Sequence, residues 1–212
     1  EEALAAGEIG RPLLGMVAVL GVLQPRAGDA PNWRDSWQQA AGTTLLESGY
    51  HAVYVLQRFF GPTSAVTVTT GKLGQLGNET ETEAGADDTC LVALEMESGA
   101  LCNVVVTYAA AGDRWSEERR LIGSEGSLLI RDNPEDEMPL LAFHEDEFRP
   151  LKVPNPPEIS SWATREAVMS FVDCVLQDKE SDVTLQEARS AVATITAAYE
   201  SARDRRRVEV VA

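Results

Sequence analysis

The run Asp88-Thr-Cys-Leu-Val-Ala-Leu-Glu-Met96-Glu-Ser-Gly-Ala100-Leu-Cys-Asn-Val-Val-Val-Thr-Tyr-Ala109 decides the reading of the fold. On either side of Glu97-Ser98-Gly99-Ala100 the apolar residues recur with period two, the spacing that puts side chains on one face of a strand. A Gly-bearing join of this length closes a hairpin, whereas a parallel crossover needs about a dozen residues or more. Asp88–Met96 and Leu101–Ala109 are therefore expected to pair antiparallel.

Working outward, the same pattern marks strands at Ser64–Lys72, Glu117–Ile122, Ser127–Arg131, Leu140–His144 and Phe148–Val153, joined by turns such as Gly123-Ser-Glu-Gly126. Leu13–Leu23 reads as a strongly apolar strand and Val208–Val211 as a short last one. Residues 1–8 read as the end of a helix that stops near Gly7. Thr43–Phe60 reads as a long helix ended by Gly61-Pro62. In Ser161–Gln177 the residues Val168, Phe171, Val172, Val175 and Leu176 fit a helical period. Thr184-Leu-Gln-Glu187 is a capping box, opening a helix whose expected buried stripe is Ala188, Ala191, Val192, Ile195 and Tyr199. The class expected is α+β, a large and mainly antiparallel open sheet with helices packed on one face. Val66, Val68, Val92, Leu94, Val104, Val106, Leu121 and Leu128 suggest strands that are apolar on both sides in places. An apolar second face needs a cover, so a homo-oligomer formed through the sheet is expected.

Composition narrows the function classes. A net charge of −16 over 212 residues argues against nucleic acid as a partner. No apolar run reaches the roughly 18 residues of a membrane span. Cys90, Cys102 and Cys174 are odd in number and widely spaced, which reads as reduced core thiols in a cytoplasmic protein. With two histidines and no C-x-x-C pair, no metal site is expected. Gly71-Lys-Leu-Gly74-Gln-Leu-Gly77 lacks the spacing of a dinucleotide fingerprint. The chain starts with Glu and has no signal-peptide layout, so the expectation is a piece of something longer.

The candidate site lies on the helix Thr43–Phe60. Leu45, Gly49, Val53, Leu56 and Phe60 form its apolar stripe, and Glu47, His51, Tyr54 and Arg58 a polar one. Glu47 and His51, four apart, share a helix face and are placed to share a proton or hold a polar ligand. A competing reading makes Glu47 the last residue of a capping box, Thr44-Leu-Leu-Glu47. Trp33, Arg34 and Trp37 suit either a sugar cradle built from stacking and bidentate hydrogen bonds or a loop anchor. Tyr50 and Tyr54 suit packing or substrate contact, and His144, among acids, reads as a surface residue.

An ordered set of short motifs resembles the C-terminal domain of the glucose–fructose oxidoreductase/inositol dehydrogenase/MocA family. The set is Ala6-Gly-Glu-Ile-Gly-Arg-Pro12, Asn32-Trp33-Arg34, Gly42…Glu47-Ser-Gly49-Tyr-His51, Asp87-Asp88-Thr89, Gly123-Ser-Glu-Gly126, Phe171-Val-Asp-Cys174 and Thr184…Glu187-Ala188-Arg189. The resemblance implies an enzyme moving hydride between NAD or NADP and a sugar, cyclitol or related polyol. In such enzymes a Rossmann domain holds the cofactor and contributes a lysine. Residues 1–10 would end a linker or helix from that missing N-terminal domain. Residues 11–212 would form the substrate-binding and oligomerisation domain, inactive alone. His51 would relay the substrate proton, Glu47 would orient it, and Trp33, Arg34, Tyr50 and Tyr54 would contact substrate. Three positions depart from the family pattern: Glu47 stands for the usual Asp, Ala41-Gly42-Thr43 for Gly-Gly-Gly, and Tyr54 for an acidic residue. A non-catalytic binding or scaffold protein, and a split-enzyme subunit, are the alternatives.

Overall fold

The computed structural model describes residues 2–21, 44–73, 87–110, 115–131, 140–144, 147–151 and 160–211. A short helix α1 (Glu2–Ala5) leads into strand β1 (Pro12–Leu20), followed by a π-helical turn (Leu45–Gly49) continuous with helix α2 (Tyr50–Phe60). Seven strands come next: β2 (Thr63–Gly71), β3 (Thr89–Met96), β4 (Leu101–Thr107), β5 (Ser116–Gly123), β6 (Ser127–Arg131), β7 (Leu140–His144) and β8 (Glu147–Pro150). Helix α3 (Ser160–Gln177), helix α4 (Leu185–Asp204) and strand β9 (Val208–Glu209) close the chain. The strands make one sheet in the order β8-β7-β6-β5-β1-β4-β3-β2-β9. Only the β1–β4 neighbours run parallel; every other described pair is antiparallel. The fold is thus the α+β class expected, with the β3–β4 hairpin as read.

Register explains the core. Val68, Val92, Val104 and Val17 line up across β2, β3, β4 and β1, and all four are buried. A second row runs Gly15, Leu121, Leu128, Ala142 across β1, β5, β6 and β7. Here the structure narrows the sequence reading to β6 and β7. The eight residues taken as signs of two apolar faces are all buried on the helix-covered face, because strict period-two spacing in register keeps them on one side. The opposite positions are mixed: Met16, Leu91 and Leu101 are exposed beside Ala93, Thr67 and Thr69, whereas Leu129 and Leu141, paired across β6 and β7, are buried, so among the described residues only there are both sides of the sheet apolar and covered.

Helices α2 and α4 pack against each other and cover β1 and β2 respectively. Gly15 permits the close approach of α2: a Cβ there would lie 2.6 Å from Leu56 Cδ2 and 2.7 Å from Phe60 Cε2. Gln57 Nε2 ties the layers together by donating to Thr194 Oγ1 on α4 at 2.9 Å and Thr63 Oγ1 on β2 at 3.1 Å. Thr184 and Glu187 form the expected capping box at the start of α4. The buried face of α4 is Ala191, Thr194, Ile195, Ala197, Ala198 and Ser201. Val192, expected inside, is 51% exposed, since it is one residue, or about 100° of rotation, from Ala191. Cys90 and Cys102 are buried free thiols as expected, whereas Cys174 is half-buried on α3. No described helix is long and apolar enough to cross a membrane.

Candidate functional site

The π-turn at the head of α2 follows from the spacing of its inward residues. Thr44, Ser48, Ala52, Leu56 and Phe60 are buried, as are Leu45, Gly49 and Val53. A strict spacing of four is not helical: an α-helix drifts about 40° every four residues, so Thr44 would end about 160° from Phe60. One π-turn inserts a residue and returns about 100° of that, within the width of a buried stripe. The period-four pattern was visible in the sequence, but the apolar stripe alone was read as an ordinary helix.

Three side-chain hydrogen bonds hold this turn. Thr44 Oγ1 donates to the Asp87 carbonyl at 2.6 Å, Ser48 Oγ and the Tyr108 hydroxyl share a hydrogen bond of 2.6 Å, and the Leu46 N–H donates to the Tyr199 hydroxyl at 3.1 Å. The last partner, reaching over from α4, satisfies one of the donors that every helix start leaves open. These bonds also decide the alternative role of Glu47: Thr44 has helical dihedrals and makes no side-chain cap bond, its hydroxyl being engaged by Asp87, so the capping box expected there does not form.

Beneath the turn lies a buried polar floor. Asp87 and Asp88 are 8% and 2% exposed. Asp88 Oδ1 accepts from the Leu73 N–H at 2.8 Å and from Thr89 Oγ1 at 3.0 Å, and Asp87 Oδ2 accepts the Cys90 thiol. Burial, reinforced by Asp87, pushes the Cys90 thiol far up, and burial pushes Cys102 up to about 12. Both stay protonated and unreactive at neutral pH. Tyr108 is pushed up to about 12, first by burial and then by the charges of Glu47 and Asp87, against the relief given by Ser48. The Trp115 ring lies tilted against Tyr108 at 5.7 Å between centroids. Sequence reasoning missed Ser48 and Tyr108 as parts of this site. Tyr108 continues the buried alternation Cys102, Val104, Val106 by one step, the signal that would have found it.

Above the floor, Glu47 and His51 are both exposed on the outward face. The edge of the Tyr50 ring meets His51, 5.5 Å between centroids at 71°. Tyr54 is half-buried and belongs to a different feature, a groove of about 450 Å³ that it lines with Val55, Arg58, Phe59, Asp182 and Val183. Arg58 closes that groove, donating to the Glu187 carboxylate at 2.7 Å and the Asp182 carbonyl at 2.9 Å. Trp33, Arg34 and Trp37 lie outside the described residues. His144 is half-buried on β7, 3.5 Å from the Glu8 carboxylate. No cluster of three or more His, Cys, Asp or Glu suited to a metal ion occurs among the described residues. Nor do these residues offer a glycine-rich turn leading into a helix, so they do not fit a dinucleotide pyrophosphate.

An open, mainly antiparallel sheet with helices packed on one face is an α+β architecture shared with solved oxidoreductase structures. The family model described as "Oxidoreductase family, C-terminal alpha/beta domain" matches residues 1–210, and the chain belongs to that Gfo/Idh/MocA family. An oxidoreductase domain protein from Kribbella flavida superposes with a TM-score of 0.81 at 19% identity, over 100% of this chain and 62% of that one. A levoglucosan dehydrogenase in complex with NADH and levoglucosan gives 0.82 at 19% identity, over 99% and 61%. The WlbA dehydrogenase from Bordetella pertussis, in complex with NADH and UDP-GlcNAcA, gives 0.75 at 23% identity, over 100% and 58%. The chain therefore spans about three fifths of the length of these structures. No curated protein matches it by sequence.

Proposed function

We propose that this chain is the substrate-binding and oligomerisation part of an NAD- or NADP-dependent oxidoreductase acting on a sugar, cyclitol or related polyol. The observation that carries the reading is the joint exposure of Glu47 and His51 on the outward face of a helix held in place from below, in a chain of this family. Two of the similar structures support the substrate class, one holding NADH with levoglucosan and the other NADH with UDP-GlcNAcA. The division at residues 10 and 11, with a nucleotide-binding part before it, belongs to the same proposal, as do a cytoplasmic location and a homo-oligomer formed through the sheet.

The dinucleotide supplies the hydride acceptor, seated by the nucleotide-binding part. This chain's own contribution is on the proton side. A substrate hydroxyl placed at His51 gives its proton to the imidazole as the C–H bond of the same carbon is broken, leaving a carbonyl, and the imidazole then returns the proton to water. Glu47, four residues before on the same helix face, orients the ring. Tyr50, edge-on to His51, limits how far the ring can turn. Trp33 and Arg34 are proposed to contact the substrate, with Tyr54 extending that contact along the helix.

The test is turnover of the complete protein on polyols, followed by NADH formation. His51→Ala is expected to lower kcat by about 10²-fold, the scale of a lost acid–base group, with NADH affinity unchanged. Turnover within about twofold of the parent would reassign His51 to the surface.

A further inference from the structure

The outward face of α2 does not end at His51. Arg58, seven residues further on, returns to within about 20° of the direction of His51 and lies about 10 Å along the axis. Tyr54 and Val55 stand on the turn between them. These two residues, with Arg58 and Phe59, form one wall of the groove of about 450 Å³, and Asp182 and Val183, just before α4, form the other. The imidazole and the groove are thus parts of a single track along one helix.

Length, lining and charge say what this track holds beyond His51. A hexose ring built from C–C bonds of about 1.5 Å spans about 5 Å. A ring with its hydroxyl at His51 therefore stops near Tyr54, and a molecule that also enters the groove carries a second unit of similar size. The groove's volume lies within the range of small-molecule sites, about 300–1,000 Å³. Its lining mixes the half-buried rings of Tyr54 and Phe59, and Val183 at 52% exposure, with the polar groups of Arg58 and Asp182. That is the mixture a sugar presents in return, apolar C–H faces and hydroxyls that both donate and accept. The charge of Arg58 is already met: its Nη1 donates to Glu187 at 2.7 Å and to the Asp182 carbonyl at 2.9 Å. Glu187 is held in turn by the Thr184 N–H at 2.8 Å. A phosphate or carboxylate would have to break this pair and face the Asp182 side chain, whereas a neutral unit only adds hydrogen bonds. Arg58 and Tyr54 also stand between the groove and a smaller hollow of about 260 Å³ reached by Gln57 and Ser190, so the track closes after one further unit.

We propose that this groove is a second subsite for a neutral sugar unit, which makes the substrate a disaccharide or similar glycoside, not a free monosaccharide or a sugar phosphate. The inference rests on the reading of His51 as the residue that meets the reacting hydroxyl. It adds what is attached to the ring held there.

Steady-state kinetics of the complete protein test it, with glucose, trehalose, maltose, cellobiose and UDP-glucose as substrates and reduction of the nicotinamide as the signal. The expected result is a kcat/KM at least about 10-fold higher on one or more of the disaccharides than on glucose. Val183→Trp, at an exposed position before α4, puts a ring into the groove and should collapse that ratio to about one. Asp182→Ala, which removes a partner for the second unit's hydroxyls, should lower it by about 5-fold or more. Ratios near one for all the disaccharides in the parent would overturn the proposal, as would a Val183→Trp variant that keeps the parent's ratio. UDP-glucose as the best substrate would overturn it too, since the extension would then be anionic. Calorimetric titration of the same sugars without cofactor separates the two readings. Disaccharide binding about 10-fold tighter than glucose, lost in Val183→Trp, with no sugar oxidised, keeps the groove and removes the redox reading. Oxidation of glucose with no preference for disaccharides in binding or turnover does the reverse.

Discussion

The hydrogen bond between Ser48 and Tyr108 is the part of the site whose strength can be worked from geometry. At 2.6 Å, between residues only 9% and 6% exposed, it has no water to fall back on. Tyr108→Phe removes one hydroxyl and leaves the other buried without this partner, a loss of about 1–3 kcal/mol. Ser48→Ala does the same from the other side. With both hydroxyls gone no orphan remains, so the double variant should cost about as much as either single one, a coupling of about 1–3 kcal/mol. Urea unfolding of the four proteins measures this, provided the m-value is unchanged. Each single variant should also lower Tm by about 2–4 °C per kcal/mol for a domain of this size. Costs that simply add, to within about 0.3 kcal/mol, would refute the claim that this bond holds the π-turn.

Two further outcomes follow from the same structure. Gly15→Ala places a methyl against Leu56, Phe60 and Cys102 Sγ, the last at 2.8 Å, and is expected to cost about 1–3 kcal/mol by overpacking; a change under about 0.5 kcal/mol in urea unfolding would show that α2 can move away. The raised values of Cys90, Cys102 and Tyr108 give the alkaline limb of stability its sign: the folded state keeps protons that the unfolded chain releases, so stability is intact below the ordinary thiol value of 9.0 and falls as pH climbs toward about 12. Unfolding followed against pH should show that decline, with a shallower slope in Cys102→Ala, and equal slopes in the two proteins would remove Cys102 from the account.

The sheet was legible because its signal is local. Cys90, Val92, Leu94 and Met96 face Cys102, Val104 and Val106 across a four-residue turn, and both period and join are written in adjacent residues. The second face was only partly legible, because a list of apolar positions does not say which side they share until the register is known: Val66 and Leu94 pair across β2 and β3 on one face, while Leu129 and Leu141 pair across β6 and β7 on the other. The site was half legible. The spacing of Glu47 and His51 is a property of one helix, and so could be read directly. The support from Tyr108, Tyr199 and Asp87 comes from residues 60, 153 and 43 positions away in its bonds to Ser48, Leu46 and Thr44, and no local pattern carries it.

The outward position of His51 also makes it a clean probe. The inward stripe fixes which face of α2 the core occupies, and neither Glu47 nor His51 is on it. Replacing an exposed helix residue away from the packed stripe usually changes stability by less than about 0.5 kcal/mol. His51→Ala should therefore leave the urea midpoint nearly unmoved, while Ser48→Ala, three residues before it, lowers the midpoint. If turnover falls in both, only the His51 variant isolates proton transfer from the shape of the helix. A His51 variant that unfolds as easily as the Ser48 one would mean that the imidazole is part of the packing, and its loss of activity would then say nothing about chemistry.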